Sequence, residues 1–234
     1  MTDDTSFVTP PQHRVIRHAE RATYDKASVF AILDAGYVCH IGFISDGKPM
    51  IIPMSYWRDG EFIYFHSAAN GRFANACANN EICLTVTHFD GLVLGHSAVN
   101  HSFNYRSVVI HGKAEVIADH EVKLAAMKSF VNHVIPHRYE RVRPINDSEA
   151  QEITLLRLRI EQVSAKTRDE FPDEEHISPD WPTWIGVIPA KTIFAVPIAD
   201  PSRNKAEPLP AYIAQYRGKD QHEPGYTLIS AANH

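Results

Sequence analysis

Cysteine is scarce in this sequence, and its three cysteines, Cys39, Cys77 and Cys83, form no Cys-x-x-Cys pair. Their neighbours are apolar, which is typical of buried thiols in a reducing compartment and not of a disulfide framework. Long apolar runs are also missing. No stretch approaches the roughly 18 apolar residues of a membrane span, and the N-terminal segment lacks the apolar core of a signal peptide. We therefore expect a cytoplasmic protein with no membrane partner.

An excess of positive charge is absent as well. The chain carries 23 Lys and Arg against 28 Asp and Glu, a formal net charge of -5, and contains no basic block. Nucleic-acid-binding domains usually have a basic footprint, so nucleic acid is not an expected partner. Hydrophobic residues make up 44% of the 234 residues, which is enough to bury the core of one large domain.

Several motifs that carry chemistry are missing too. The sequence has no Gly-x-Ser-x-Gly elbow and no Gly-x-Gly-x-x-Gly after a strand, which argues against a nucleophilic serine and a Rossmann site. Histidines are numerous, at 14, and His133 and His137 have a helical spacing of four. Pro136 interrupts that helix, and no carboxylate or cysteine lies nearby at a metal-ligand spacing. We predict no metal site and can assign no catalytic residue.

The residue pattern divides the chain into an N-terminal arm (1–22), a main domain (23–197) and an extended C-terminal tail (198–234). Helical spacing predicts short helices over 26–35, 72–79 and 122–134. Gly36 occupies the place of a left-handed C-cap. Period-two patterns separated by Asp-Gly turns predict six strands, over 37–44, 49–57, 61–66, 82–87, 105–117 and 153–163. The predicted fold class is mainly β, a six-stranded antiparallel barrel with short helices.

Residues 62–72, of sequence FIYFHSAANGR, predict a strand that turns into a helix beginning at Gly71. The first turn of a helix has unpaired N–H groups, and His66, Ser67 and Arg72 add side-chain donors. Taken alone, this stretch is either an anion site or an ordinary turn with a solvated arginine. A second group of anion-suited residues begins the strand at Asn104-Tyr105-Arg106-Ser107.

Five short motifs occur in an order that resembles the FMN-binding split-barrel proteins, within the branch related to pyridoxamine 5'-phosphate oxidase that includes nitroimidazole-resistance proteins. The resemblance covers about residues 17–197. The motifs are Arg21-Ala22-Thr23-Tyr24-Asp25, Val38-Cys39-His40-Ile41-Gly42-Phe43, Gly47-Lys48-Pro49 leading to Ile52-Pro53, Leu84-Thr85-Val86-Thr87 and Asn104-Tyr105-Arg106-Ser107-Val108-Val109.

This resemblance implies a six-stranded split β-barrel that forms a homodimer, with FMN at the interface and contacted by both subunits. The implied phosphate contacts are His66, Ser67 and Arg72, the last at a position where relatives often have Lys. The isoalloxazine ring would lie against the backbone of Pro53, Met54 and Ser55. The remaining implied flavin contacts come from a second strand and the C-terminal segment, and are Tyr105, Arg106, Ser107, Val108, Lys166 and Trp184.

We therefore expect an FMN-dependent oxidoreductase with an unidentified small-molecule substrate. A flavin-binding or sensing module without turnover is the alternative, and a haem-handling protein on the same barrel is a third, for which the sequence singles out no axial histidine. His101 could supply a proton, although a surface histidine is the preferred interpretation. Residues 227–234 lack the Arg-containing ending of true pyridoxamine phosphate oxidases, so that oxidase activity is not carried over.

Overall fold

The computed structural model of the protein describes residues 5–173, 180–203 and 208–221, and residues 227–234 lie outside these ranges. Within them the chain is mainly β, with strands numbered β1 to β10 in chain order. These are Ala22–Thr23, Val38–Ser45, Lys48–Ser55, Trp57–Asp59, Phe62–Ala68, Glu81–Leu94, Ser102–Ile117, Ile153–Arg159, Gln162–Arg168 and Gly186–Pro189.

Every strand pair whose register is resolved is antiparallel, and the main sheet has the order β3-β2-β6-β7-β8-β5-β4. Three further pairings lie off this path: β1 with β9, β9 with β7, and β10 with β6. Besides its pairing with β6, β7 pairs with two further strands in turn: its residues 105–111 pair with β9 and its residues 114–117 pair with β8. β3 is an edge strand, so the backbone groups on its free side are not paired within the sheet that the described residues form.

Five α-helices lie in the described ranges: α1 Lys26–Asp34, α2 Arg72–Cys77, α3 His120–Val134, α4 Asp147–Gln151 and α5 Ala211–Ala214. Asp25 caps α1 by accepting hydrogen bonds from the N–H groups of Ala27 and Ser28, as its sequence position predicts. α4 and α5 were not predicted, although Asn146 and Glu149 form a capping box at the start of α4. None of the helices in the described ranges is long and apolar enough to cross a membrane.

Two predicted boundaries are wrong for identifiable reasons. The predicted strand 153–163 is two strands, β8 and β9, which run in the same direction along β7. They are separated by a break at residues 160 and 161, where residues 159–161 lie opposite only residues 112 and 113 of β7. Gly36 does not have the positive φ predicted for it. A Cβ at Gly36 would lie 2.4 Å from the Tyr56 hydroxyl oxygen, so close approach, and not a left-handed cap, explains this glycine.

The first predicted hairpin is confirmed in detail. Asp46 and Gly47 have φ values of 50° and 70°, which matches the two-residue turn that follows the twist of paired strands. Across β2 and β3, Ile41 pairs with Ile52 and Phe43 pairs with Met50. Alternate residues of β2 are buried in the core, while Val38 and Ile44 are exposed on the outer face. β5 and most of β6 show the same alternation.

The N-terminal segment packs against the strands that follow it. Phe7 belongs to the main core and meets the Phe30 ring at 5.9 Å between centroids. Thr9 is buried, and its hydroxyl donates to the carbonyl oxygen of Val163 in β9. The His13 ring stacks on His111 with centroids 4.1 Å apart. The segment from Thr9 to Arg17 therefore lies along β7 and β9.

The described residues divide into two compact units. The first comprises those within Met1–His88 and Tyr105–Arg168, and the second those within Phe89–Asn104 and Asp169–His234. The predicted domain boundaries after residues 22 and 197 remain predictions.

Three partly buried histidines in the first unit should make its stability depend on pH. Burial lowers the pKa of His66, His111 and His133 below the ordinary value of 6.5, and the neighbouring His13 lowers that of His111 further. In acid the unfolded chain then binds more protons than the folded chain. The contribution of these neutral imidazoles to the free energy of unfolding is fully present above pH 6.5. It is lost as the pH falls towards the folded-state pKa values.

We predict a lower thermal midpoint at about pH 5.5 than at about pH 7.5, because the three imidazoles must be charged while buried. Differential scanning calorimetry across this range measures the effect without protonating most carboxylates. His66→Gln should make the pH dependence shallower. Equal midpoints at the two pH values would contradict the prediction.

Candidate functional site

The turn between β5 and α2 is built so that Ser67 and Arg72 stay close together. Asn70 has φ of 58°, a left-handed conformation that asparagine tolerates, and Gly71 then starts the helix. A Cβ at Gly71 would lie 3.0 Å from the Ala68 carbonyl oxygen, so a larger residue would crowd the turn. α2 has only 6 residues, and no side chain caps its first turn. The side chains are thus the main anion donors here.

Ser67, Gly71 and Arg72 line a cavity of about 440 Å³, which we call the cradle cavity. Its opposite wall comes from the β2–β3 hairpin and the start of α2: Phe43, Ser45, Asp46, Lys48, Met50, Ile52 and Phe73. Lys48 and Arg72 have no carboxylate partner among the described residues. Two uncompensated cations and a hydroxyl beside an apolar wall suit a ligand with an anionic group and a flat apolar body.

His66 lies on the other face of β5. Strand alternation directs Phe65 into the core, and the His66 ring packs instead against Trp57 and Phe130, with centroids 6.1 and 5.3 Å away. Its Nδ1 atom is buried without a hydrogen-bond partner in the described part of the chain. Burial lowers its pKa, so the ring is neutral near pH 7. The structure therefore brings Ser67 and Arg72 together but does not bring His66 to the cradle cavity.

Pro53, Met54 and Ser55 lie at the end of the edge strand β3. Pro53 and Ser55 are exposed, whereas Met54 packs against the main core and its carbonyl oxygen accepts a hydrogen bond from the Cys39 thiol at 3.5 Å. Proline is tolerated in β3 because an edge strand needs no donor on its free side. The backbone of this segment is thus available to a ligand or to another chain.

Tyr105, Arg106, Ser107 and Val108 occupy the part of β7 that pairs with β9. Val108 is buried in the core, while Ser107 lies opposite Lys166 on the outer face. The Lys166 ammonium donates to the Arg17 carbonyl oxygen at 2.8 Å. Ser107 and Lys166 therefore share one surface, and the N-terminal segment already holds Lys166 in place.

Trp184 belongs to the second unit. Its side chain is 64% exposed, and its ring covers Gly186, where a Cβ would lie 2.7 Å from the Trp184 Cη2 atom. The close approach of the indole explains the glycine at the start of β10.

The sequence-based prediction missed most of the residues that line the cradle cavity, among them three from β3: Lys48, Met50 and Ile52. All three have even numbers in β3 and therefore face the same side of the strand. The Asp-Gly turn fixes the register of this hairpin, so period-two alternation from that turn could have identified them.

The thiols are not candidates for nucleophilic catalysis. Burial raises the pKa of Cys39 and Cys77 to about 12 and also raises that of Cys83. A thiol that stays protonated is neither a good nucleophile nor a metal ligand. Across the described ranges, no group of three His, Cys, Asp or Glu side chains is placed to hold a metal ion.

Comparison with solved structures shows two extensive similarities. The flavocytochrome Anf3 from Azotobacter vinelandii is 36% identical with a TM-score of 0.84, and the match covers 90% of this chain and 98% of that one. The FAD and heme binding protein from Mycobacterium smegmatis is 25% identical with a TM-score of 0.79, covering 86% and 98% of the two chains.

A third structure, a putative 5-nitroimidazole antibiotic resistance protein from Bacteroides thetaiotaomicron VPI-5482, is 23% identical with a TM-score of 0.53. That match covers 62% of this chain and 85% of that one, and it supports the fold alone. No curated protein sequence matches the chain.

The predicted fold class, a mainly β split barrel, is confirmed, although the sheet has ten strands and not six. The family model for pyridoxamine 5'-phosphate oxidase matches residues 25–167, which is more than half of the chain. The predicted family relationship is also confirmed: the chain belongs to the pyridoxamine 5'-phosphate oxidase family.

Proposed function

We propose that the protein binds a flavin nucleotide in the cradle cavity and acts as a flavin-dependent oxidoreductase. The observation that carries this proposal is the pairing of Arg72 and Lys48, two cations without carboxylate partners, with the apolar wall of Met50 and Ile52. The flavin phosphate would be held by Arg72, Lys48 and Ser67. A bound flavin supplies hydride transfer at its ring, and the chain supplies binding and orientation.

The riboflavin 5'-phosphate group is common to FMN and FAD, and the cradle donors suit it in both. FMN is the prediction from the sequence, whereas the similarity to a FAD and heme binding protein supports FAD. Mass spectrometry of the flavin released from purified protein by heat distinguishes the two. Oxidation of added NADH or NADPH with a nitroaromatic or quinone acceptor separates an enzyme from a flavin-binding module, while colourless protein that binds neither flavin would refute both proposals.

Arg72→Ala should weaken flavin binding by about 10- to 100-fold, because a charge-assisted contact to a phosphate contributes about 1.5–3 kcal/mol. Fluorescence titration of apoprotein measures the affinity. Arg72→Lys should retain most of it, since the charge remains. Arg159→Ala, which removes an exposed arginine on β8, is the matched control. Equal affinities for Arg72→Ala and the control would refute the cradle assignment.

We propose further that two chains form a homodimer through the outer face of the β2–β3 hairpin. Val38, Ile44 and Ile51 are 55%, 59% and 70% exposed, and the register places all three on the face opposite the core. Exposed aliphatic residues in a row on an edge hairpin are typical of an interaction surface. The partner's second strand would then complete the flavin site.

Ile51→Glu should convert the dimer into a monomer and lower flavin affinity, because a buried unpaired charge opposes association. Size-exclusion chromatography with light scattering gives the mass, and the same titration gives the affinity. Val122→Glu, at an exposed position of α3, is the control. A wild-type monomer that binds flavin normally would contradict the shared site.

A haem centre in the second unit is a second candidate, and we propose it on one specific contact. The His101 Nδ1 atom lies 3.0 Å from the Ser97 carbonyl oxygen, so it is the protonated nitrogen and leaves the Nε2 lone pair available. Metal-ligating histidines are commonly oriented in this way. Phe89, Val99 and Phe103 lie in the same segment and are exposed, which suits an apolar macrocycle. The similarity to a heme binding protein supports the same proposal.

His101→Ala should weaken haem binding and shift the Soret band, because the axial ligand is lost. Haemin titration followed by absorption spectroscopy measures both effects. His120→Ala, at an exposed histidine of α3, is the control. An unchanged Soret band and affinity in His101→Ala would exclude this residue as the ligand.

A further inference from the structure

A second cavity lies in the first unit, beside α3, and has a volume of about 520 Å³. We call it the α3 cavity. It is lined by Asp34, Arg58, Ala125, Lys128, Ser129, Asn132 and His133. No residue is shared with the cradle cavity. α3 itself packs through Phe130 on the face of β5 that carries His66, whereas Ser67 of the cradle cavity is on the other face of that strand.

The α3 side of this cavity is mostly polar because its lining residues recur at the helical period. Residues 125, 128, 129, 132 and 133 are spaced by three and four, which places them on one stripe of the helix. Ala126, Met127 and Phe130 pack in the core beneath. The stripe thus faces a cavity whose size is within the range of small-molecule sites, about 300–1,000 Å³.

Arg58 is a rigid wall of the α3 cavity. Its Nε and Nη2 atoms donate to the two Asp34 carboxylate oxygens at 2.7 and 2.6 Å, and Nη1 donates to the Gly60 carbonyl oxygen at 2.7 Å. The guanidinium also covers the Phe30 ring at 4.1 Å. Its charge is compensated and its donors are engaged, so Arg58 shapes the cavity without supplying net charge.

Lys128 is the uncompensated cation of the cavity. It has no carboxylate partner in the described ranges, and its ammonium lies 5.6 Å from the centre of the Tyr139 ring. Asn132 adds a donor, because its Oδ1 atom accepts from the Tyr139 N–H at 3.0 Å and the side-chain NH₂ group is left over. The Ser129 hydroxyl lies on the same stripe. Three donors, one of them charged, thus converge on one wall.

His133 contributes an acceptor and no positive charge. Its Nε2 atom lies 3.1 Å from the Gly36 carbonyl oxygen and therefore donates, which leaves Nδ1 unprotonated in the neutral ring. Burial keeps the ring neutral near pH 7 by lowering its pKa.

We propose that the α3 cavity binds a small-molecule anion whose carboxylate or phosphate oxygens are held by Lys128, Ser129 and Asn132. The site is separate from flavin binding and stands whether or not the cradle cavity holds a flavin. Phosphates and carboxylates share this oxyanion chemistry, and the two arms of the test distinguish them.

The test titrates the purified protein with inorganic phosphate in one arm and succinate in the other, using isothermal calorimetry at low salt. All proteins in the titration carry Arg72→Ala, which weakens phosphate binding at the cradle cavity, and the comparison is made between variants on this common background. We expect saturable binding in at least one arm. Lys128→Ala should lower that affinity about 10-fold or more, since a hydrogen bond to a charged group is lost. Lys113→Ala, at another exposed lysine, should leave it unchanged.

Ser129→Ala provides a second and milder variant, which should reduce the affinity less than Lys128→Ala without altering charge. Circular dichroism confirms that each variant is folded. The proposal is overturned if neither anion shows saturable binding, or if Lys128→Ala and Ser129→Ala both bind as tightly as Lys113→Ala does.

Discussion

The two-residue alternation of β5 is the constraint on which the rest of the structure depends. Both faces of this strand are covered: Ile63 and Phe65 enter the main core, while Tyr64 and His66 pack with Trp57 and α3. Because each side chain must point to one face or the other, consecutive residues have different surroundings: His66 lies against α3, and Ser67 lines the cradle cavity. A shift of one residue would bury Ser67 under α3 and direct His66 towards the cradle cavity.

Much of the fold was predictable because alternation and Asp-Gly turns are local signals. The β2–β3 hairpin follows directly from Asp46-Gly47 between two apolar stretches. The break between β8 and β9 was not predictable in this way, because Ile160 and Glu161 are ordinary strand residues and the break is set by the register with β7. Gly36 shows the same limit: its role is a contact with Tyr56, a residue twenty positions away that only the fold brings close.

The candidate site was also predictable only in part. Family resemblance selected Ser67 and Arg72, and the structure places both on one cavity. It also selected His66, one residue earlier, although the strand pattern alone assigns His66 and Ser67 to opposite faces. Lys48 was missed because its importance comes from the β2–β3 hairpin lying across from α2, which is a tertiary contact. Sequence motifs therefore identified candidate residues, whereas only the folded structure shows which of them line the same cavity.

The edge position of β3 would allow one strand to contact both the proposed flavin and the proposed partner chain. An open edge normally invites pairing with any other strand, and Pro49 and Pro53 limit this by removing donors from the strand. The even-numbered residues Lys48, Met50 and Ile52 face the cradle cavity, and Ile51 points to the outer face. A ligand on one face and a second subunit on the other would each stabilise the same strand. Flavin binding and dimerisation would then be thermodynamically linked, since each orders the strand that the other needs.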